Sequence, residues 1–502
     1  MADQQELGYE RLGGRRLSLI DVVAQSIGFM GPVFSAAFLI PLIAGFGAAG
    51  KGAGVATPFA VILAAIGTFA LGWIVAQYAK RLHAAGSVYD YVSNGLGSRP
   101  GGLAGWIYYG GTTVLASAIA VLVGWFMHDV IFTADPAVPG VISSESPLPM
   151  WAWSMFYVGA IFLIQYLGVQ LSTRVQLALA LISAVVVLAF FVKVILDAPL
   201  NSPKAFNPGE SADGWGGILF GVLYGVLIFV GFETAANLAE EAEEPKRAIP
   251  KAVLLTVVVV SAFYVIASYA MIAGFGFDVA VLTSPDVAAA PLFALGSPPE
   301  VGGYGSTTIL KILVVVVFLD VMAVGLGAAV ASARGVFALA RDRRIPRVLA
   351  TVSASRGTPV GAIVFVEVVS VAMVVLAEVW DELFAIAETP HYLAMFQWLS
   401  TFGGFALMIV YGLMALGSFR GLADHPNTPG VVVAGVVGLA VAVGAVFGGV
   451  YRQQNPFDLV WIYVVGWTIL GAIITLLVGG RAPARQVLGD LHSAGEAAAA
   501  AR

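Results

Sequence analysis

The chain has 502 residues, 59% of them apolar and 11% charged, with 25 Lys and Arg against 30 Asp and Glu for a net charge of −5. A soluble domain averages about 45–50% apolar and about 25% charged, so the composition excludes an ordinary soluble globular protein, and the small net charge marks no nucleic-acid partner. Cysteine is absent, which excludes disulfide frameworks, thiolate catalysis and Cys-ligated metal centres.

A membrane-crossing helix needs about 20 mostly apolar residues. Twelve such runs occur in chain order, at roughly 18–47, 55–80, 101–133, 150–170, 174–197, 214–239, 251–276, 306–340, 358–378, 391–418, 430–449 and 457–479. Glycine, at 59 residues, exceeds its usual ~7% without a collagen period, as close helix packing in lipid requires. The pattern predicts an all-α membrane protein with twelve transmembrane helices. The first 14 residues are polar and no small-residue cleavage pattern follows run one, so run one reads as a retained helix rather than a signal peptide. The longest outer connections, about 197–213 and 277–305, are rich in Pro, Gly, Ser and Asp and read as loops or short surface helices. The Ala-rich tail has no apolar moment and is expected to be disordered or loosely helical.

The flanks orient the helices. With the N-terminus inside, 20 Lys and Arg fall on one side, among them Arg15, Arg16, Arg174, Lys246, Arg341 and Arg420. The other side keeps 5, namely Lys51, Lys193, Lys204, Lys311 and Arg452. The positive-inside rule then places both termini in the cytoplasm of a multi-pass cell-membrane protein.

Two runs carry breaks. Run one reads Ser26-Ile27-Gly28-Phe29-Met30-Gly31-Pro32, and Pro32 lacks a backbone donor and clashes with the preceding turn. Run six holds Gly221, Gly225 and Gly231 and then Glu233, a carboxylate inside an apolar segment that needs a partner or water. Irregular backbone at membrane depth is tolerated only where it lines a cavity or is buried in protein. Breaks at equivalent places in two five-helix halves point to a secondary transporter with inverted repeats and a midplane site.

Three stretches resemble the amino acid–polyamine–organocation (APC) superfamily of permeases, its amino acid permease family in particular, over about Leu17 to Leu477. They are the run-one motif, in which Phe29, Met30 and Pro32 depart from the usual glycine-rich pattern; Gly231-Phe232-Glu233 through Glu240-Glu241 to Pro250; and Ser332-Ala333-Arg334-Gly335 through Asp342, with Ile345-Pro346 and Gly357-Thr358-Pro359. The resemblance implies a leucine-transporter-like fold: a five-plus-five inverted repeat followed by two extra helices. The segments are then 1–17 (cytoplasmic), 18–197 (first repeat), 198–418 (second repeat), 419–480 (two extra helices) and 481–502 (cytoplasmic tail).

The chemistry of the breaks agrees. An amino-acid carboxylate needs free N–H groups at a positive helix end, which the stretch Ser26, Ile27, Gly28 to Gly31 would offer. An ammonium needs carbonyls or a carboxylate, which Phe229 to Glu233 would supply. The resemblance makes Phe229 and Phe232 the aromatics over a substrate, and Trp398 an outer cap. Tyr109, beside Tyr108, is a hydroxyl source for the site. Asp320 shares one helical face with Ala323, Val324, Gly327, Ala331 and Arg334 and would bind a cation. Glu240 to Glu244 reads most simply as a solvated loop that could join an inner gate. In proton-coupled or exchange relatives a lysine of the fifth helix stands where Ser183 aligns, so a cation could occupy that space; Asp320 and Glu233 are the other coupling candidates.

The expected function is a secondary active transporter of amino acids or related amines, working by alternating access and proton-linked or by exchange. A sodium-coupled symporter or a polyamine permease is the alternative within the class, and a solute sensor or channel lies outside it. The implied partners are a small-molecule substrate, H+ or Na+, and the lipid bilayer; nothing sets the oligomeric state. No enzyme, cofactor or metal site is expected, since there is no clustered His and no nucleophile–base pair. The topology makes one direct prediction. Ser353→Cys, on this Cys-free background, is expected to resist an impermeant maleimide applied outside intact cells; labelling there would overturn the orientation.

Overall fold

The computed structural model describes residues 17–478 except 49, 83, 84, 134–140, 387, 388 and 452. The expected tail at 481–502, and all but Leu17 of the expected N-terminal segment, lie outside the described residues. Among the described residues everything regular is helical apart from two isolated bridges, Leu17 with Ala242 and Phe132 with Ile142.

In hydrocarbon a segment must satisfy its own backbone groups, which selects helices for apolar runs of this length. The first run forms two, α1 (Leu19–Met30) and α2 (Pro32–Ala44). There follow α3 (Thr57–Ala79), α4 (Ser87–Leu96), α5 (Ser98–Trp125), α6 (Met150–Leu167), α7 (Val169–Asp197), α8 (Gly214–Leu227) and α9 (Pro245–Gly274). The last are α10 (Thr307–Arg341), α11 (Val360–Val379), α12 (His391–Gly421), α13 (Thr428–Gly448) and α14 (Val460–Val478). Eleven helical segments, with α1 and α2 taken together, are long and apolar enough to cross a membrane among the described residues. The count differs from the expected twelve at run six. There α8 has only 14 residues, then gives way to turns and a 3-10 helix at Thr234–Leu238. Gly231, at φ +115°, keeps the turns after α8 from resuming a right-handed helix.

The segments sort by depth. Leu19–Ala44 has 94% of its most apolar window buried and His391–Gly421 78%, while Phe457–Leu477 has 22% and Met150–Leu167 28%. The core is therefore built around α1, α2, α5 and α12, and α6 and α14 are peripheral. The outer faces of α6, α7, α13 and α14 stay apolar, with Phe156, Val185, Leu196, Val443 and Leu476 exposed. Water would not tolerate so much apolar surface, so the protein is a multi-pass integral membrane protein. The principal packing pairs are α5 with α12, α3 with α9, α7 with α10, α12 with α13, and α10 with α5.

The break in the first span sits at one residue. Gly31 closes α1 and opens α2 at φ +49°, and a side chain there would lie 1.9 Å from Val324 Cγ2. Gly31→Ala is expected to lower the melting temperature of the detergent-purified protein. A residue held in the left-handed region costs about 1–3 kcal/mol, and the Val324 contact adds to that. Val324→Ala in the same chain should recover only part of the loss, because the backbone strain remains. An unchanged melting temperature would show that the break does not need glycine.

Candidate functional site

Interrupting a helix at membrane depth frees backbone groups that must find partners. Pro32, first in α2, has no N–H. The next two donors, Val33 N and Phe34 N, both donate to Asp320 Oδ2, at 2.9 and 2.8 Å. Gly31 N donates to Ile27 O and Ser35 N to Gly31 O. Asp320 is wholly buried in α10, so a carboxylate caps the positive end of α2, where a helix favours an anion. On the other side of the break, Met30 O accepts from Ser35 Oγ at 2.9 Å, and Tyr264 Oη lies 3.1 Å away. A continuous helix would have given the carbonyls of Gly28 and Phe29 the N–H groups of residues 32 and 33; the proline has none and Val33 has turned to Asp320.

The second break meets the first. Ser26 Oγ donates to Phe232 O at 3.0 Å and accepts from Ala235 N at 3.1 Å. The Tyr264 hydroxyl lies 2.6 Å from Ile228 O as well as near Met30 O, so one ring bridges both interruptions. A Cβ on Gly231 would stand 3.0 Å from Met30 N and from the Phe29 side chain, which makes glycine necessary for this approach as well as for its φ. Between the breaks lies a cavity of about 30 Å³, space for on the order of two waters. Its wall is apolar: Phe29, Met30 and Phe34 from the first break, Leu227 and Val230 from the second, and Val324 from α10. Ser35 and Ser400 also line it. A cavity this small holds water but not an amino acid.

The predicted site residues take the following places. Ser26, Phe229, Phe232 and Gly31 are brought together around the joined breaks. The Phe229 ring packs edge-on against Tyr264 at 5.1 Å, and Phe232 packs on Tyr411 at 5.5 Å. Ile27 contributes its carbonyl to Gly31. Gly28 lies inside α1, and the space a side chain would take is filled by Gln176 of α7, with Oε1 2.6 Å from a Cβ. The Gly28–Gly31 stretch therefore does not present the vacant N–H cradle expected of it: Gly28 packs on a helix, and the donors after Gly31 are held by Asp320. Glu233 is buried, and its Oε1 accepts from the Tyr108 and Tyr411 hydroxyls, the latter at 2.7 Å. Tyr109 stands away from this centre. Its hydroxyl donates to Gly86 O at 2.8 Å and accepts from Asn237 Nδ2 at 2.9 Å. Trp398 donates to Pro456 O at 3.2 Å and packs against Phe384 and Tyr463. Ser183 Oγ lies 2.8 Å from Leu179 O and 2.6 Å from Val316 O of α10. Sequence reasoning did not single out Tyr264, Tyr411 or Gln176; each is a polar residue inside an apolar helix, with no neighbouring punctuation to mark it.

A charged layer closes the end of the bundle near Leu17. Arg334 makes two contacts with Glu241, Nε to Oε2 at 2.8 Å and Nη2 to Oε1 at 3.3 Å. Arg341 Nη1 contacts both oxygens of Glu240, at 2.9 and 3.0 Å. Glu240 also accepts from Ala85 N, and Tyr89 donates to Asp342. Leu17 N donates to Glu241 O, and Glu243 N to Leu17 O. The stretch from Glu240 is thus not simply a solvated loop: its first two carboxylates are buried and ion-paired. Among the described residues no group of three His, Asp or Glu is placed to hold a metal ion.

Two interrupted helices joined beside a small apolar cavity in an apolar bundle define a class of integral membrane protein that handles small solutes. Residues 17–477 match the family described as amino acid permease, and the chain belongs to that family; the protein is a transporter rather than an enzyme. It is 26% identical over 456 residues to the branched-chain amino acid permease BcaP of Bacillus subtilis, covering 87% of this chain and 86% of that one. An uncharacterized transporter of Mycobacterium tuberculosis is 28% identical over 379 residues, 73% of this chain and 74% of the relative. The low-affinity putrescine importer PlaP of Escherichia coli is 23% identical over 343 residues, 66% of this chain and 68% of the relative.

The charged layer yields a double-variant prediction. Removing one partner of a buried ion pair strands the other and costs about 3–5 kcal/mol. Arg334→Leu and Glu241→Leu should each lower the melting temperature and transport sharply. The double variant should lose much less than the two losses added together. Strictly additive losses in thermal melting would show that the pair is not coupled.

Proposed function

We propose that the protein is a secondary active transporter that moves amino acids or related amines by alternating access, proton-linked or by exchange. The observation that carries this reading is the junction of the two helix breaks, tied by Ser26 and Tyr264 beside a small apolar cavity. Corresponding interruptions in two halves of a membrane chain are the mark of a site reached alternately from either side. The names of the relatives, a branched-chain amino acid permease and a putrescine importer, support solutes of this class. In this reading α8 and the turns after it make the twelfth span. Residues 18–197 and 198–418 are the two five-helix repeats, and 419–480 adds two helices. The termini lie in the cytoplasm and the protein in the cell membrane. The substrate sits between the breaks, close to Ser26, Ile27, Gly28, Gly31, Phe229, Phe232 and Glu233, with Tyr109 and Trp398 further along the path toward its two ends. The Arg334–Glu241 and Arg341–Glu240 pairs are the closure on the cytoplasmic side.

Proton-linked transport or exchange is preferred over sodium coupling because the Ser183 hydroxyl is engaged with helix carbonyls, while Asp320 and Glu233 are buried acids at the breaks. The test is uptake into proteoliposomes under a pH gradient or a sodium gradient, each imposed alone. Saturable counterflow is expected, unaffected when choline replaces sodium. Accumulation driven by sodium at fixed pH would overturn the coupling. Conductance without saturation would make the protein a channel, and binding without flux a sensor.

A further inference from the structure

We propose that the substrate is an organic amine without an α-carboxylate, with an apolar body, and that Asp320 is the residue that sets this choice. The inference rests on the transporter reading above and narrows it.

The argument is an account of donors and acceptors at the first break. An α-amino acid brings one anionic and one cationic group, and its carboxylate needs N–H donors. At a broken helix the main-chain donors are those of the first turn. In α2 none is open. Pro32 has none to give, Val33 N and Phe34 N are held by Asp320 Oδ2, and Ser35 N closes on Gly31 O. The protein's own carboxylate occupies the seat that a substrate carboxylate would require. A second anion placed beside it would meet like-charge repulsion with no donor to offset it.

What is left at the break suits a cation. Asp320 Oδ1 is buried and has no hydrogen-bond partner. The carbonyls of Gly28 and Phe29 have lost the helix donors that Pro32 and Val33 would have given them. Met30 O already draws the hydroxyls of Ser35 and Tyr264. The adjoining cavity is walled by Phe29, Met30, Phe34, Leu227, Val230 and Val324, which fits an alkyl or aryl body rather than a second charge. A primary ammonium on an apolar chain can donate to three acceptors of this kind; a carboxylate finds no open main-chain donor at the start of α2.

The experiment compares matched pairs that share a side chain and differ only in the carboxylate: isoamylamine with leucine, and phenethylamine with phenylalanine. The full-length protein in proteoliposomes is assayed by counterflow, and in detergent by thermal shift. The amines are expected to exchange saturably and raise the melting temperature, and the parent amino acids to fall short by about tenfold or more in half-saturating concentration. Asp320→Ala frees Val33 N and Phe34 N. It should lose amine counterflow and gain leucine or phenylalanine binding in the thermal shift. Wild-type exchange of leucine or phenylalanine with no response to the amines would overturn this inference and leave the transporter reading intact. No saturable flux of either member of either pair would count against both. Should Asp320→Ala fail to fold, the wild-type pairs alone decide the question. An Asp320→Ala chain that folds and keeps the wild-type preference would remove Asp320 from the choice.

Discussion

The hydrogen bonds from Val33 N and Phe34 N to the Asp320 carboxylate are the contact on which the rest of the site depends. A helix cannot be interrupted in hydrocarbon without partners for the groups it exposes. Here one side chain from α10 answers for the donor side and the Tyr264 and Ser35 hydroxyls for Met30 on the acceptor side. Without Asp320, the positive end of α2 would be open inside an apolar core. Gly31 and Pro32 make the break, and α10 caps it with an anion at the right height.

The same helix serves the opposite end of the bundle. Asp320, Gly327 and Arg334 are seven residues apart and share a face. Asp320 caps α2. Gly327 lets Phe29 approach to within 2.8 Å of where its Cβ would be, and its carbonyl accepts from Gln25. Arg334 pairs with Glu241. One stripe of α10 thus contacts the first break, the helix before it, and the segment after the second break. A shift of α10 along its own axis would strain the Asp320 cap and the Arg334 pair together. Mechanical linkage between the cavity and the charged layer follows from the rigidity of a helix, with no need for a separate relay.

Much of this was legible in the sequence, and the boundary falls in a physical place. Apolar runs reported the helices because burial in lipid leaves a continuous one-dimensional mark. Gly31-Pro32 and Gly231 reported the breaks because backbone conformation is encoded locally. The face of Asp320, Val324, Gly327 and Arg334 could be drawn from periodicity alone. What the face would touch could not. Asp320 was read as a cation site; its bond to the end of α2 depends on how two helices far apart in sequence pack together. Tyr411 and Tyr108 on Glu233, and Gln176 against Gly28, are hidden for the same reason. Tyr109 rests on residue type and Trp398 on the family resemblance, and neither argument reaches the partners that packing gives them, Gly86 and Asn237 for Tyr109 and Pro456 for Trp398. The first carboxylates of the Glu240–Glu244 stretch misled most simply: a run of acids reads as solvated unless the arginines that meet them, 93 and 101 residues away, are already known.

The composition of the first break also carries a bias in polarity that neither glycine nor proline conveys alone. Gly31 ends the helix and leaves donors and acceptors equally unmatched. Pro32 removes one donor but no acceptor. Asp320 then takes the next two donors and brings a further oxygen. Each step moves the balance in one direction, so that the site has an excess of oxygen lone pairs over N–H groups. Had the break been made with glycines only and α10 carried an apolar residue at 320, the same geometry would have been able to accept an anion at α2 and a cation at α1. Pro32 and Asp320 together turn a two-sided site into a one-sided one, and they do so with the main chain of α1 and α2 as the common frame.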